Sequence, residues 1–362
     1  MKDSQLPKQK LSQLSKKLNK SRKFVKKLPT LQEKVLLTPN VPKNPKQSVF
    51  RKYESDLRLI LIPLIFFLIF ATLILINTKV ESAIKGNMVI PIDSNTQVHP
   101  YPFIQTVQMP EVSAKASIII DADSQVIIFS KNPNVRFSMA STTKIMTALV
   151  AMEYYKKDSV LTVGPANFEG SRLGIYYGER FYFEDLLYAM LLPSANDAAE
   201  TIADNYPGGR DAFVAKMNEK AGALHLHNTH FSDPTGLNDD GDYTTVVDMA
   251  RLASVAIKNK DLVSITGTKN KLISNVDNTR QYILENLNKL LGVDGVYGIK
   301  TGTTEAAGEV LVTSSIVNGH TFIIVVMNSQ QRFSDTKVLL LFISENVKYI
   351  APDQSSGGLR GD

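Results

Sequence analysis

Cysteine is absent from the 362-residue chain, which excludes disulfides and thiolate metal sites and leaves an oxidising compartment possible without covalent staples. Histidine is scarce, at 5 residues, and His225, His227 and His230 form His-x-His-x-x-His, a spacing that matches no familiar ligand set. They read as structural, and no metal or other cofactor is expected. Gly292, Gly295, Gly298 and Gly302 cluster without the Gly-Lys-Ser or Gly-Lys-Thr of a phosphate loop, so they read as strand turns. A positive surplus is missing from most of the chain. Residues 1–58 hold 16 Lys and Arg against 4 Asp and Glu, net +12, residues 59–76 hold none, and the remainder holds 25 basic against 31 acidic groups, net −6. The overall +6 belongs to the N-terminal tail, so nucleic-acid binding by the main domain has no support.

Charge is absent from Leu59 to Ile76, 18 residues reading LILIPLIFFLIFATLILI. At about 1.5 Å per residue a helix of that length covers roughly 27 Å of hydrocarbon, so a transmembrane helix is predicted at 59–76, with Pro63 tolerable near its start. A cleaved signal peptide is the rival reading. Against it, the basic segment ahead is longer than an ordinary n-region, and Val80-Glu81-Ser82-Ala83 is the nearest approach to a cleavage site. The cationic surplus precedes the run, so residues 1–58 are expected to be a cytoplasmic tail and everything after Asn77 extracytoplasmic, in a single-pass protein of the cell membrane. Within the tail, Leu11, Leu14 and Leu18 share a helical face among lysines; a solvated tail that sets topology is preferred over an amphipathic helix on anionic lipid. Residues 77–112 carry Pro91, Pro100, Pro102 and Pro110 with no sustained period and read as an extracytoplasmic linker. A main domain over 113–350 and a Gly/Ser-rich tail over 351–362 follow; the terminal Arg360-Gly361-Asp362 is given no role.

The main domain is organised around residues 138–152. From Ala140 onward this stretch lacks Gly and Pro and is rich in Ala, Leu and Met, so it reads as a helix whose first turn carries Ser and Thr. A helix that is apolar nearly all round belongs in the interior, where Lys144 loses its hydration. Desolvation lowers a lysine pKa, and a neutral amine takes a proton from a hydroxyl. Ser141 is that hydroxyl, since residues three apart on a helix lie about 5–6 Å apart at Cβ. The helix start adds free N–H groups and a positive dipole end for an oxyanion. An N-cap serine followed by a snorkelling lysine is the alternative. Ser334-Asp335-Thr336-Lys337 repeats the spacing ahead of another apolar run. Downstream context separates the two. Ser194-Ala195-Asn196 follows Ser141, and the only Lys-Thr-Gly, Lys300-Thr301-Gly302, follows that; nothing comparable follows Ser334, and Ser344-Glu345-Asn346 lies out of order.

Ser-x-x-Lys, Ser-x-Asn and Lys-Thr-Gly in that order form the signature of penicillin-binding proteins and class A β-lactamases. The blocks Met139–Ala148, Leu186–Ala199 and Gly298–Gly308, with Phe213–Gly222 and Thr229–Leu237 between them, resemble the low-molecular-mass penicillin-binding proteins of the D-alanyl-D-alanine carboxypeptidase family, over roughly 116–349. The resemblance implies an α/β (α+β) fold of the β-lactamase/transpeptidase type: an antiparallel sheet flanked by helices with an inserted helical subdomain, here preceded by one transmembrane helix. It implies peptidoglycan pentapeptide stems as substrate and β-lactam antibiotics as covalent inhibitors, while the uncharged run itself predicts that the lipid bilayer is engaged through Leu59 to Ile76. By the same resemblance Ser141 is the nucleophile, Lys144 its base, and Ser194 the relay to the leaving amine. Asn196 holds Lys144 and the substrate amide, while Lys300 and Thr301 bind the terminal carboxylate. Gly302 lets the ligand approach the strand, and the N–H groups of Thr303 and Ser141 form the oxyanion hole.

A β-lactamase is disfavoured because Glu285-Asn286-Leu287-Asn288 falls one residue short of the Glu-x-x-Leu-Asn deacylation motif. A D,D-endopeptidase that cuts cross-links uses the same motifs and is the nearer alternative. A membrane-tethered β-lactam sensor is the alternative of another class, although residues 1–58 contain no recognisable signalling domain.

Strands are predicted at 116–120 and 125–130 around the turn 121–124, and at 296–303, 310–316 and 321–327, the last two joined by Asn318-Gly319. Helices are predicted at 183–190, 195–205, 210–224, 245–258 and, to close the domain, 334–349. Asp233-Pro234-Thr235-Gly236-Leu237 reads as a turn at the rim of the site and is assigned no chemistry.

Overall fold

Apolar runs such as Ile118-Ile119-Ile120 and Phe322-Ile323-Ile324-Val325-Val326 have no polar face, so their strands must be covered on both sides. In the computed structural model, which describes residues 64–65, 67–72, 74–75, 100–106, 108–165 and 169–350, they are. The sheet contains β2 (Ala116–Asp121), β3 (Ile127–Lys131), β8 (Val296–Thr304), β9 (Gly308–Val317) and β10 (His320–Ser329), all antiparallel in the order β3-β2-β10-β9-β8. Alternation splits each run between two cores. Ile118, Ile120, Ile323 and Val325 face one core, while Ile119, Phe322, Ile324 and Val326 face the other.

The first core is closed by helices that lie between β3 and β8 in the chain: α1 (Lys144–Tyr154), α2 (Phe183–Leu191), α3 (Asn196–Asp204), α4 (Gly209–Ala223), α5 (Val246–Ala256) and α6 (Lys260–Thr266). The second is closed by α7 (Arg332–Asn346), whose Leu339, Leu340, Phe342 and Ile343 lie against the sheet. Two short ribbons, β4 (Val160–Thr162) with β5 (Arg180–Tyr182) and β6 (Asn270–Ser274) with β7 (Gln281–Glu285), complete the described helical region.

Several expectations need correction. The start of the predicted helix at Ala140 is a 3-10 turn, Ala140–Thr143, and the α-helix begins at Lys144. At three residues per turn, positions i and i+3 eclipse, which stacks Lys144 directly on Ser141. Within the predicted linker, β1 (Tyr101–Ile104) pairs with β11 (Val347–Ile350), and the closing helix stops at Asn346 to supply that partner. Pro102 is compatible with β1 because this ribbon has only two strands and one ladder to serve. The short elements β4 to β7 and α6 carry too few residues for a clear period.

The chain divides into two units at Ser94/Asn95. In the first, residues 64–65, 67–72 and 74–75 are helical and mostly exposed. No helix among the described residues is long and apolar enough to cross a membrane. The rest of the predicted span 59–76, the tail 1–58 and the segment 351–362 lie outside the described residues.

Candidate active site

The 3-10 turn that carries Ser141 sits between β8 and the turn 233–237, and glycine makes both approaches possible. At Gly302 of β8 an added Cβ would stand 3.0 Å from the Ser141 amide nitrogen and 3.1 Å from Ala140 Cβ. Gly236 lies closer still, with an added Cβ 1.9 Å from the Ala140 carbonyl oxygen.

Lys144 is wholly buried at the head of α1. Its Nζ donates to Ser141 Oγ at 2.9 Å, to Asn196 Oδ1 at 2.7 Å and to the Thr235 carbonyl at 2.8 Å. Burial is the first cause that brings its pKa down, to about 7, against the opposing pull of Asp233, Glu200, Asp197 and Asp242. The amine is therefore available as a base at neutral pH.

Asn196 opens α3 and also ties down the wall beside it. Its Nδ2 donates to the Glu169 carbonyl at 2.7 Å, and its amide to the Ser171 carbonyl at 2.7 Å. Asp197 next to it accepts from the amides of Leu173 and Gly174 at 3.0 and 2.8 Å, which holds that loop over the helix start. Ser194 precedes α3 in a left-handed conformation, φ 66°, and its buried Oγ has no hydrogen-bond partner within the protein. A hydroxyl held in this way is free to exchange a proton with a ligand.

Lys300 of β8 is 1% exposed and makes no ion pair among the described residues; its Nζ donates to the Thr301 carbonyl at 2.9 Å. Burial first, then the positive charges of Lys144 and Arg332, hold its pKa well below the usual lysine value. An anion bound beside it would oppose both causes and favour the charged amine. Arg332, at the start of α7, donates through Nη1 to the Gly302 carbonyl at 2.8 Å and to the Thr303 hydroxyl, and Thr303 Oγ1 donates to the Gly302 carbonyl at 2.7 Å. The Lys300 amine and the Arg332 guanidinium thus converge on the Lys300-to-Thr303 stretch, where a bound carboxylate would favour the charged form of Lys300.

The predicted residues Ser141, Lys144 and Asn196 are joined by hydrogen bonds, Ser194 stands two residues from Asn196, and Lys300, Thr301, Gly302 and Thr303 share the strand that abuts Ser141. Three participants were not predicted. The turn 233–237 supplies the Thr235 carbonyl to Lys144 and the Pro234 carbonyl to Thr147 at 2.7 Å, so its assignment to no chemistry needs correction. Asp197 and Arg332 are the other two. Asp197 had a legible signal as an acidic residue in the first turn of a helix; Arg332 had none, because its place depends on how α7 packs. The second Ser-x-x-Lys is structural: Asp335 accepts from the amides of Ser113 and Ala114, both at 2.8 Å, and Thr336 Oγ1 donates to the Arg332 carbonyl. Among the described residues no three His, Cys, Asp or Glu side chains are placed to hold a metal ion. His230 instead bonds the Gly241 carbonyl and stacks on Tyr243.

Comparison with known proteins agrees with this geometry. The chain is 36% identical over 211 residues to a D-alanyl-D-alanine carboxypeptidase of Bacillus subtilis, covering 56% of this chain and 54% of that protein. It therefore spans about half the length of that relative. It is 31% identical over 237 residues to a D-alanyl-D-alanine endopeptidase of Escherichia coli, covering 63% and 76%. Among solved structures, a Streptomyces DD-transpeptidase superposes with a TM-score of 0.62 at 30% identity, over 65% of this chain and 98% of that one. Residues 104–331 match the family described as D-alanyl-D-alanine carboxypeptidase, and the chain belongs to that family of serine peptidases, the low-molecular-mass penicillin-binding proteins.

Proposed function

We propose that this protein is a serine-type D-Ala-D-Ala carboxypeptidase that removes the terminal D-alanine from peptidoglycan stem peptides and is acylated by β-lactams at the same serine. The observation that carries the reading is the amine of Lys144, buried and 2.9 Å from Ser141 Oγ, beside a strand that bears the buried Lys300, which makes no ion pair among the described residues. Lys144 takes the proton of Ser141 as Oγ attacks the penultimate carbonyl, and the amide N–H groups of Ser141 and Thr303 receive the oxyanion. As the C–N bond breaks, the proton on Lys144 passes through Ser194, which gives one proton to the departing D-alanine and takes one from Lys144, and water then hydrolyses the ester. Lys300, Thr301 and Arg332 hold the terminal carboxylate.

Release of D-alanine from a diacetyl-Lys-D-Ala-D-Ala peptide tests this reading. Cleavage of cross-linked muropeptides without D-alanine release would replace it with the endopeptidase that relatives such as the Escherichia coli protein are named for. Since acylation needs the free amine, kcat/KM is expected to be level above about pH 7 and to fall about tenfold per unit below it. A rate independent of pH down to about 5 would remove Lys144 from the role of base. A charge-assisted bond to a carboxylate contributes about 1.5–3 kcal/mol, so Lys300→Ala is expected to raise KM about 10- to 100-fold with kcat less affected. An unchanged KM would exclude the carboxylate role.

We also propose that Leu59 to Ile76 anchors the protein in the cell membrane, with the tail 1–58 cytoplasmic and the catalytic domain outside. The apolar length of the run and the Lys/Arg excess before it support this. Release of the full chain from membranes by alkaline carbonate would refute it.

A further inference from the structure

The turn 233–237 reaches Lys144 through one carbonyl, and beneath it lie two carboxyl groups that the reaction above does not use. Asp233 Oδ1 accepts from the Thr235 amide, the Thr235 hydroxyl and the Gly236 amide, each at 2.6 Å, and its Oδ2 accepts from the Asn238 amide at 2.8 Å. Asp242 is 0% exposed. Its Oδ1 accepts from the amide and hydroxyl of Ser232 at 2.6 and 3.0 Å, but its buried Oδ2 has no donor.

Ser232, the chain neighbour of Asp233, holds Asp242 Oδ1, so the Asp233 carboxylate acts on Asp242. Two neighbouring buried carboxyls hold one proton between them, because two adjacent negative charges away from water repel each other too strongly. The hydrogen bonds decide where that proton sits. Burial pushes Asp233 up, yet the donors from Thr235 and Asn238 and the contact with Asp242 outweigh it and leave Asp233 below the usual carboxylate range. Burial first, then the charge of Asp233, push Asp242 up to about 8, against the opposing bond from the Ser232 amide.

Both carboxyls act on Lys144, together with Glu200 and Asp197 of α3. Arg210 of α4 donates to Glu200 at 2.9 Å and also faces Asp233, while Lys300 of β8 is the neighbouring amine that the charge of Lys144 pushes down. Asp242 is the member of this set whose second carboxyl oxygen is buried without a donor.

We propose that Asp242 is a positioning residue that acts through Asp233 and the Thr235 turn to set how readily Lys144 takes up a proton. The proposal rests on the reading of Lys144 as the base. When amine and carboxyl together hold one proton, two forms compete: a free amine with a carboxylic acid, which can react, and an ammonium with a second carboxylate, which cannot. This competition stretches the acid limb of the rate over both titrations. An asparagine at position 242 cannot ionise, so the unreactive form disappears.

The test compares the full-length protein with Asp242→Asn across about pH 5.5 to 9, following both D-alanine release and the second-order rate of labelling by fluorescent penicillin. The acid limb is expected to move to lower pH by roughly half a unit to one unit and to steepen to a single proton. Superimposable profiles, a shift to higher pH, or an equal loss of rate at every pH would overturn the proposal. If the wild type labels but releases no D-alanine, the peptidase reading fails while the labelling profile still judges Asp242. Should the variant not fold, carbon-13 NMR of aspartate-labelled wild type decides: one carboxyl titrating near about 8 supports the proposal, and none above about 6 overturns it.

Discussion

Replacing Ser141 by alanine is expected to abolish both D-alanine release and covalent labelling by fluorescent penicillin. Of the groups that accept from the Lys144 amine, Ser141 Oγ is the hydroxyl, at 2.9 Å, and its residue's amide nitrogen lies against Gly302 of β8. Without it Lys144 has no hydroxyl to activate, and what remains is binding and the oxyanion donors. Loss of a nucleophile that works as a unit with its base lowers kcat by about a million-fold. Fold and burial should survive, because Ser141 is only half-buried and sits in a turn held by the Thr142 hydroxyl on the Met139 carbonyl at 2.6 Å. An Ser141→Ala protein with an unchanged urea midpoint that still labels would remove Ser141 as the nucleophile.

The second large effect is expected from a residue without a side chain. Gly236 has φ +82°, and an added Cβ would fall 1.9 Å from the Ala140 carbonyl oxygen and 2.6 Å from Thr143 Oγ1. The Ala140 carbonyl is backbone of the turn that presents Ser141 and cannot swing away. Gly236→Ala must therefore push apart the Ser141 turn and the turn that gives Thr235 to Lys144. A cost of about 3 kcal/mol or more in stability is expected, with labelling slowed at least about 100-fold, because small displacements of reacting groups are costly. Gly319→Ala is the control. Gly319 has φ +83° but nothing within 4 Å of an added Cβ, so it should lose only about 1–2 kcal/mol from backbone strain and label at the wild-type rate. Equal behaviour of the two variants would show that overlap at the site is not the cause.

The legible parts of the fold are those in which neighbours in sequence are neighbours in space. Asn318-Gly319 marks the β9–β10 hairpin because both residues adopt positive φ, 51° and 83°, as such a turn requires. The apolar character of α1 announces its burial. The β1–β11 ribbon was not legible, because its two strands lie at opposite ends of the described domain and each is only four residues long. The helix boundary at Asn346 depends on that same pairing.

The sequence alone determined the order of the three motifs, the helical spacing that places Ser141 one turn from Lys144, and the sheet whose runs are apolar on both faces. These follow from bonded geometry and from the period of side chains along one element, which a chain carries wherever it folds. Tertiary structure alone decided which groups meet the Lys144 amine. Asn196 lies 52 residues away and Thr235 lies 91 residues away, and Arg332 joins Gly302 across 30. Packing also removed the water that would otherwise keep Lys144 charged and brought Asp242 against Asp233. Desolvation and the meeting of distant charges are properties of the assembled interior, and no local pattern encodes them.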